Sequence, residues 1–352
     1  MKRLRWYLVV APMLVVLLAA GAAAQQREIG ERVVSRQELR STIATQEQYT
    51  AALTLLGNVI GTGVSVDASG RGVVKVYASS SAVRGVPSQL DGVPVIVEVT
   101  GPFVAFQGQG NGNGNGNGKG GGGGGPAFDR TARYRPAPIG VSTGHPDITA
   151  GTIGARVTDG VNVYALSNNH VYANLNAANI GDNVLQPGDF DGGVNPDDAF
   201  GTLWDFGVLG FSVLDVNVVD AAIALSSPSE LSNATPPDGY GVPRVETIPA
   251  AVGLRVMKYG RTTGLTKARV TDINVFTIVQ YGPDFFLWFD QQILIGGVNF
   301  SAGGDSGSLI VGAQGADARK PVGLLFAGGF NSTLANPIDA VLAELGVWID
   351  GE

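Results

Sequence analysis

Apolar and polar positions alternate along most of this chain in short bursts, broken by glycine and aspartate. Near the start the spacing is helical. Ser35 followed by Glu38 forms a capping box, Leu39, Ile43, Leu53 and Leu56 recur near one face, and Gly57 is placed to stop the helix. Residues 59–66 then read as a strand, Asp67-Ala68-Ser69-Gly70 as a turn, residues 73–77 as the return strand of a hairpin, and residues 93–99 as a third strand. Beyond a glycine tract the pattern is almost wholly two-residue. Residues 151–157 and 161–167 alternate around Thr158-Asp159-Gly160, a hairpin signal. Further strands are predicted at 254–259, 268–281, 285–295, 308–311 and 322–326, with a closing helix begun by Pro337 and marked by Ile338, Val341, Leu342 and Leu345. A mainly β fold, barrel or sandwich, preceded by a small α/β unit, accounts for this pattern.

The two ends of the α/β unit set the domain organisation. Lys2, Arg3 and Arg5, the apolar run from Trp6 to Ala20 and the Ala22-Ala23-Ala24 cleavage pattern mark residues 1–24 as a signal peptide, the alternative being an uncleaved membrane anchor, since the apolar stretch is close to spanning length. This predicts an exported protein, secreted or periplasmic, with no stable membrane association once the signal is cut. Residues 27–106 form the small unit, which holds no histidine and is expected to be an accessory or pro-domain. Residues 107–126, alternating glycine and asparagine and then glycine around Lys119, cannot bury apolar surface and read as a flexible linker. Residues 127–352 are the main domain.

Composition removes several chemistries. The 352-residue chain has no cysteine, which excludes disulfides, thiol nucleophiles and thiolate metal sites. A net charge of −7 and a pI near 4.9 argue against nucleic acid as a partner. Only two histidines are present, His145 and His170, so no zinc site is expected and imidazole catalysis has two candidates. Asp189, Asp191, Asn195, Asp197 and Asp198 are rich enough in oxygen to consider calcium, but no glutamate closes an EF-hand loop. A solvated acidic loop is the better reading. No cofactor is expected.

The chemistry concentrates in three places. Gly303-Gly304-Asp305-Ser306-Gly307-Ser308-Leu309 sets a serine in a tight, glycine-permitted turn, where the N–H groups of Gly304 and Ser306 can face a developing oxyanion. The alternative is a glycine-rich turn with an incidental serine. His170 ends a predicted strand in Leu166-Ser167-Asn168-Asn169-His170-Val171, placed to act as base and then acid. Asp220, within Val218-Val219-Asp220-Ala221-Ala222-Ile223, needs a partner if it is buried, and His170 would supply one. Asp205 and Asp215 are rivals without a comparable apolar strand behind them. His145, in a Gly-His-Pro turn, is expected to stand outside the catalytic group, and Gly260-Arg261-Thr262-Thr263-Gly264 is read as a turn between strands. The order His, Asp, Ser differs from that of subtilisins and α/β-hydrolases.

From about Gly140 onward the chain resembles the trypsin-like, or chymotrypsin-like, serine peptidases. Ser167-Asn-Asn-His170 stands where these have Thr-Ala-Ala-His, Asp220-Ala-Ala-Ile stands at their Asp-Ile-Ala, and Gly304-Asp-Ser-Gly307 matches their nucleophile motif. Gly144-His145-Pro146, Gly260-Arg-Thr-Thr-Gly264 and Gly323-Leu-Leu-Phe-Ala-Gly328 are similar to an exported bacterial branch related to the plant narrow-leaf proteins. The resemblance implies a double six-stranded β-barrel, a His170–Asp220–Ser306 triad between the barrels, and a serine endopeptidase acting on proteins or peptides through an acyl-enzyme. Ser308 replaces the second glycine that usually follows the nucleophile. The position that sets the base of the primary pocket in trypsin relatives falls on Phe300, against an acid-based preference for lysine or arginine. The competing reading is a catalytically silent binding or scaffold protein on the same fold.

Overall fold

A computed structural model of the protein describes residues 34–105 and 128–352. The residues expected to form a signal peptide (1–24) and a linker (107–126) therefore fall outside the described residues. Helix α1 (Arg36–Thr54) opens with Ser35, whose side chain accepts the Glu38 N–H. The apolar spacing located this helix but not its buried face. Thr42, Thr45, Gln46, Thr50 and Leu53 are the residues it buries. Gln46 Nε2 donates to Thr62 Oγ1 at 2.7 Å, and Gly72 N–H donates to Glu38 Oε1 at 3.0 Å, so a largely polar face is satisfied by the sheet beneath it. That sheet contains β1 (Val59–Val66), β2 (Gly72–Ala78), β3 (Gln89–Leu90) and β4 (Val93–Val99). A last strand, β5 (Phe103–Ala105), was not anticipated.

The next body contains β6 (Ser142–Thr143), β7 (Gly151–Thr152), β8 (Ala155–Thr158), β9 (Val163–Ser167), the one-turn helix α2 (Asn169–Tyr172), β10 (Asn183–Leu185), β11 (Ala199–Phe206), β12 (Val216–Asn217) and β13 (Ala222–Ser226). The predicted hairpin appears as β8 against β9, antiparallel about Thr158-Asp159-Gly160. The last body contains β14 (Arg255–Gly260), β15 (Gly264–Gly282), β16 (Phe285–Gly296), β17 (Leu309–Gly312), β18 (Pro321–Gly328), β19 (Ser332–Pro337) and α3 (Ile338–Leu345), after which β20 (Trp348–Ile349) returns to pair with β8.

Strand pairing makes the architecture explicit. The six strands β10-β11-β13-β9-β8-β20 form one sheet, and its end strand β20 comes from the chain's own C-terminus. β14 pairs with β15, β15 with β16, β16 with β19, β19 with β18, β18 with β17, and β17 with β14. This circuit closes a second, antiparallel barrel. Ile139, Ile153, Ala165, Val184 and Leu203 fill the first body, and Val256, Val270, Ile295, Phe300 and Leu325 the second. A seam of Leu166, Ile223, Leu309, Leu324, Ile338 and Val341 joins them, and α3 seats its apolar stripe there. Each such fully buried aliphatic contributes about 1.5–3 kcal/mol. The protein is mainly β with a C-terminal helix.

The N-terminal unit extends the second barrel. β1 lies antiparallel on β15, with Gly61 opposite Thr277 and Thr62 opposite Phe276. β5 pairs parallel with β15 and antiparallel with β18, with Ala105 opposite Ala327 and Val104 opposite Gly328. Among the described residues, no helix is long and apolar enough to cross a membrane.

Candidate active site

His170 and Asp220 approach from separate elements. Strand β9 ends at Ser167, Asn168 caps α2, and the single helical turn that follows carries His170 into the interior. Asp220 lies between β12 and β13 and is fully buried. The imidazole Nδ1 and Asp220 Oδ2 are 2.6 Å apart, and the His170 backbone N–H donates to Asp220 Oδ1 at 3.2 Å. A carboxylate on Nδ1 fixes that nitrogen as the donor and directs Nε2 as the basic atom. Nε2 is buried and has no hydrogen-bond partner among the described residues. Neighbouring amides hold the backbone: Asn168 Nδ2 donates to the Asp220 carbonyl at 2.7 Å, and the Asp220 N–H donates to Asn336 Oδ1 at 3.0 Å. The rivals Asp205 and Asp215 are exposed and accept only local backbone N–H groups.

Ser306 sits in the turn before β17, against β7 and β18. Thr152 N–H donates to the Ser306 carbonyl at 2.8 Å, and the Ser306 hydroxyl donates to the Phe326 carbonyl at 3.4 Å. Two glycines here are required by geometry. Gly304 has φ +92°, and a Cβ on it would lie 2.6 Å from Thr262 Oγ1. Gly307 has φ +91°, and a Cβ there would lie 2.1 Å from Ser167 Oγ. Ser308, the departure from the usual motif, turns its hydroxyl back onto the Asp305 carbonyl at 2.6 Å and so ties the turn to itself.

Asp305 anchors this turn from below. Its carboxylate accepts the N–H groups of Thr262, Thr263 and Ala302 at 2.9, 3.1 and 3.0 Å, the Thr263 hydroxyl at 2.6 Å, and Lys258 Nζ at 3.1 Å. Both charged side chains are fully buried. Burial pushes the Lys258 ammonium below its ordinary value, and the Asp305 charge opposes that. The Gly260–Gly264 turn between β14 and β15 is therefore also the clamp that grips the nucleophile turn. Sequence reasoning missed Lys258, although a lone charge within Val256-Met257-Lys258-Tyr259 was visible.

Tyr281 was missed as well. Its hydroxyl donates to Asp220 Oδ2 at 2.6 Å from within β15. His145 lies near α2, its N–H donating to the Val171 carbonyl, but its ring is engaged elsewhere. Nδ1 accepts the Asp147 N–H at 3.1 Å, which leaves Nε2 protonated toward Asp182 at 3.4 Å. In the acidic loop Asp191 pairs with Arg261, and Asp198 pairs with Arg133 at 2.6 Å. Among the described residues no group of three or more histidine, aspartate or glutamate side chains is placed to hold a metal ion. Phe300 is packed in the second barrel's core, with Lys258 Nζ 5.9 Å from its ring centre.

β5 runs past this group. It lies along Ala327 and Gly328, next to the Phe326 carbonyl that receives the Ser306 hydroxyl. A surface cavity there is lined by Val104, Ala105, Gly303, Gly328 and Phe330 among others.

Scans against protein-family models and against curated proteins find no match. Solved structures do match. A glutamic acid-specific serine protease is 21% identical over 60% of this chain and 98% of its own, with a TM-score of 0.44. Thermobifida fusca protease A is 16% identical over 61% and 98%, with a TM-score of 0.43. A Cellulomonas bogoriensis chymotrypsin is 18% identical over 61% and 98%, with a TM-score of 0.41. Each of these matches to serine proteases has a TM-score below 0.5.

Proposed function

We propose that this chain is an exported serine endopeptidase that hydrolyses peptide bonds through His170, Asp220 and Ser306. The observation that carries the reading is the buried 2.6 Å contact between His170 Nδ1 and Asp220; Ser306 stands on a glycine-permitted turn whose Gly307 packs against Ser167, three residues before His170. In this scheme Ser306 Oγ attacks the substrate carbonyl while His170 Nε2 takes its proton. The N–H groups of Gly304 and Ser306 hold the oxyanion. His170 then protonates the leaving amine, and water repeats the sequence on the acyl-enzyme. Asp220 stays ionised and stabilises the imidazolium. The substrate is a protein or peptide, and no metal or organic cofactor is assigned a role.

The reading includes the N-terminal unit, proposed as an accessory or pro-domain. Strand β5 supports this, because it pairs with Ala327 and Gly328 of β18, next to the Phe326 carbonyl that receives the Ser306 hydroxyl, as an extended peptide adds to a sheet.

Labelling with a fluorophosphonate probe tests the whole reading without a known substrate. The full chain, before and after limited proteolysis between its two described parts, is expected to take up one probe, faster after proteolysis. Ser306→Ala is expected to take up none. No labelling in either form would leave a binding or scaffold protein on this fold.

A further inference from the structure

Asp220 Oδ2 accepts two hydrogen bonds of equal length. His170 Nδ1 lies at 2.6 Å and Tyr281 Oη at 2.6 Å. The phenol arrives from β15, far from both His170 and Asp220 in sequence, and its ring is 4% exposed. Three aromatic contacts fix it: Phe289 stacked at 6.1 Å between ring centres, Phe285 edge-on at 6.3 Å, and the His170 ring itself edge-on at 5.9 Å. The hydroxyl has little freedom to point elsewhere, and the carboxylate has little freedom to turn.

We propose that Tyr281 is a positioning residue for the His170–Asp220 pair, its hydroxyl spreading the Asp220 charge and holding the carboxylate plane so that Oδ2 faces the imidazole. The proposal rests on His170 being the general base. Burial and the neighbouring Asp220 charge hold the phenol well above its ordinary range, so it remains a donor at every pH at which an imidazole titrates. The groups that hydrogen-bond Asp220 are His170 and Asn168 at α2, Tyr281 on β15, and Asn336 on β19, itself tied to Gln292 on β16. Of these, only His170 can add a second charge.

The consequence has a definite sign. Without the phenol, Oδ2 keeps one donor and more of its charge, so it holds the imidazolium more tightly. A raised imidazole titration means that the protonated, inactive form persists to higher pH. A hydrogen bond to a buried charge is strong enough to move this equilibrium by about one pH unit, tenfold in proton affinity.

Tyr281→Phe keeps the ring and removes only the hydroxyl. The chain has two histidines, so ¹⁵N-histidine labelling of the full chain gives two imidazoles to follow, and His145→Gln assigns them. The expected result in Tyr281→Phe is a His170 midpoint raised by about one pH unit with His145 unmoved. The acid limb of kcat/KM should follow while KM holds. An unchanged or lowered His170 midpoint overturns the proposal. Should the phenylalanine variant fail to fold, 3-fluorotyrosine at position 281 supplies a stronger donor. It is expected to lower the midpoint, and no movement overturns the proposal equally. The titration is read on the imidazole and needs no turnover, so it separates a failure here from a failure of Ser306 to act as nucleophile.

Discussion

Replacing Lys258 by methionine removes one partner of a fully buried ion pair while keeping most of the side chain's volume. At 3.1 Å and an effective dielectric constant of about 20, the attraction lost is about 5 kcal/mol before solvation is counted. Breaking a buried pair from one side costs about 3–5 kcal/mol, because the remaining charge stays buried without its partner. Asp305 would keep the N–H groups of Thr262, Thr263 and Ala302 and the Thr263 hydroxyl, which places the expected cost at the lower end, about 3 kcal/mol. Urea unfolding of wild type, Lys258→Met, Asp305→Asn and the double variant measures this directly. The cost of Lys258→Met should fall below about 1 kcal/mol in the Asp305→Asn background. A cost that is small in wild type, or equal in both backgrounds, would refute the idea that the pair anchors the nucleophile turn.

Three further outcomes are expected. Gly304→Ala forces a side chain onto φ +92° and within 2.6 Å of Thr262 Oγ1, so it should displace the Gly304 N–H and lower kcat by about 10²-fold, readable as slowed probe labelling. Val104→Pro removes a donor from the three-residue strand β5 and should speed labelling of the full chain, whereas unchanged labelling would argue that β5 does not cover the site. Asp272 is 1% exposed with both carboxylate oxygens unpartnered, and burial raises its proton affinity above that of the unfolded chain. Its stabilising protonated form is lost as pH rises, so Asp272→Asn should stabilise the fold at neutral pH, with the gain fading on acidification, in thermal unfolding followed at several pH values.

What the sequence disclosed depended on how local the signal was. The β8–β9 hairpin, the nucleophile turn and α3 were legible because each is specified within about a dozen residues by alternation, glycine or helical spacing. His170 and Asp220 could be paired on paper because an aspartate in an apolar run demands a partner. Tyr281 could not. In β15 it is one more aromatic in an alternating strand, and its role exists only once the barrel brings that strand to Asp220. Strand β5 was hidden for the same reason, since its three residues pair with Val279 and Gln280 of β15 and with Ala327 and Gly328 of β18, beyond any local pattern. The α1 face was misjudged because threonine and glutamine, not leucine, do most of its packing, through hydrogen bonds to Thr62.

The most direct test of the account is the acyl-enzyme itself. The protein is mixed with an activated ester, quenched in acid within the first turnovers, and mapped by peptide mass spectrometry. The account predicts one acyl group on Ser306 in the wild type, none in Ser306→Ala, and far slower formation in His170→Ala. An acyl group on any other residue, or equal acylation in wild type and Ser306→Ala, would contradict it.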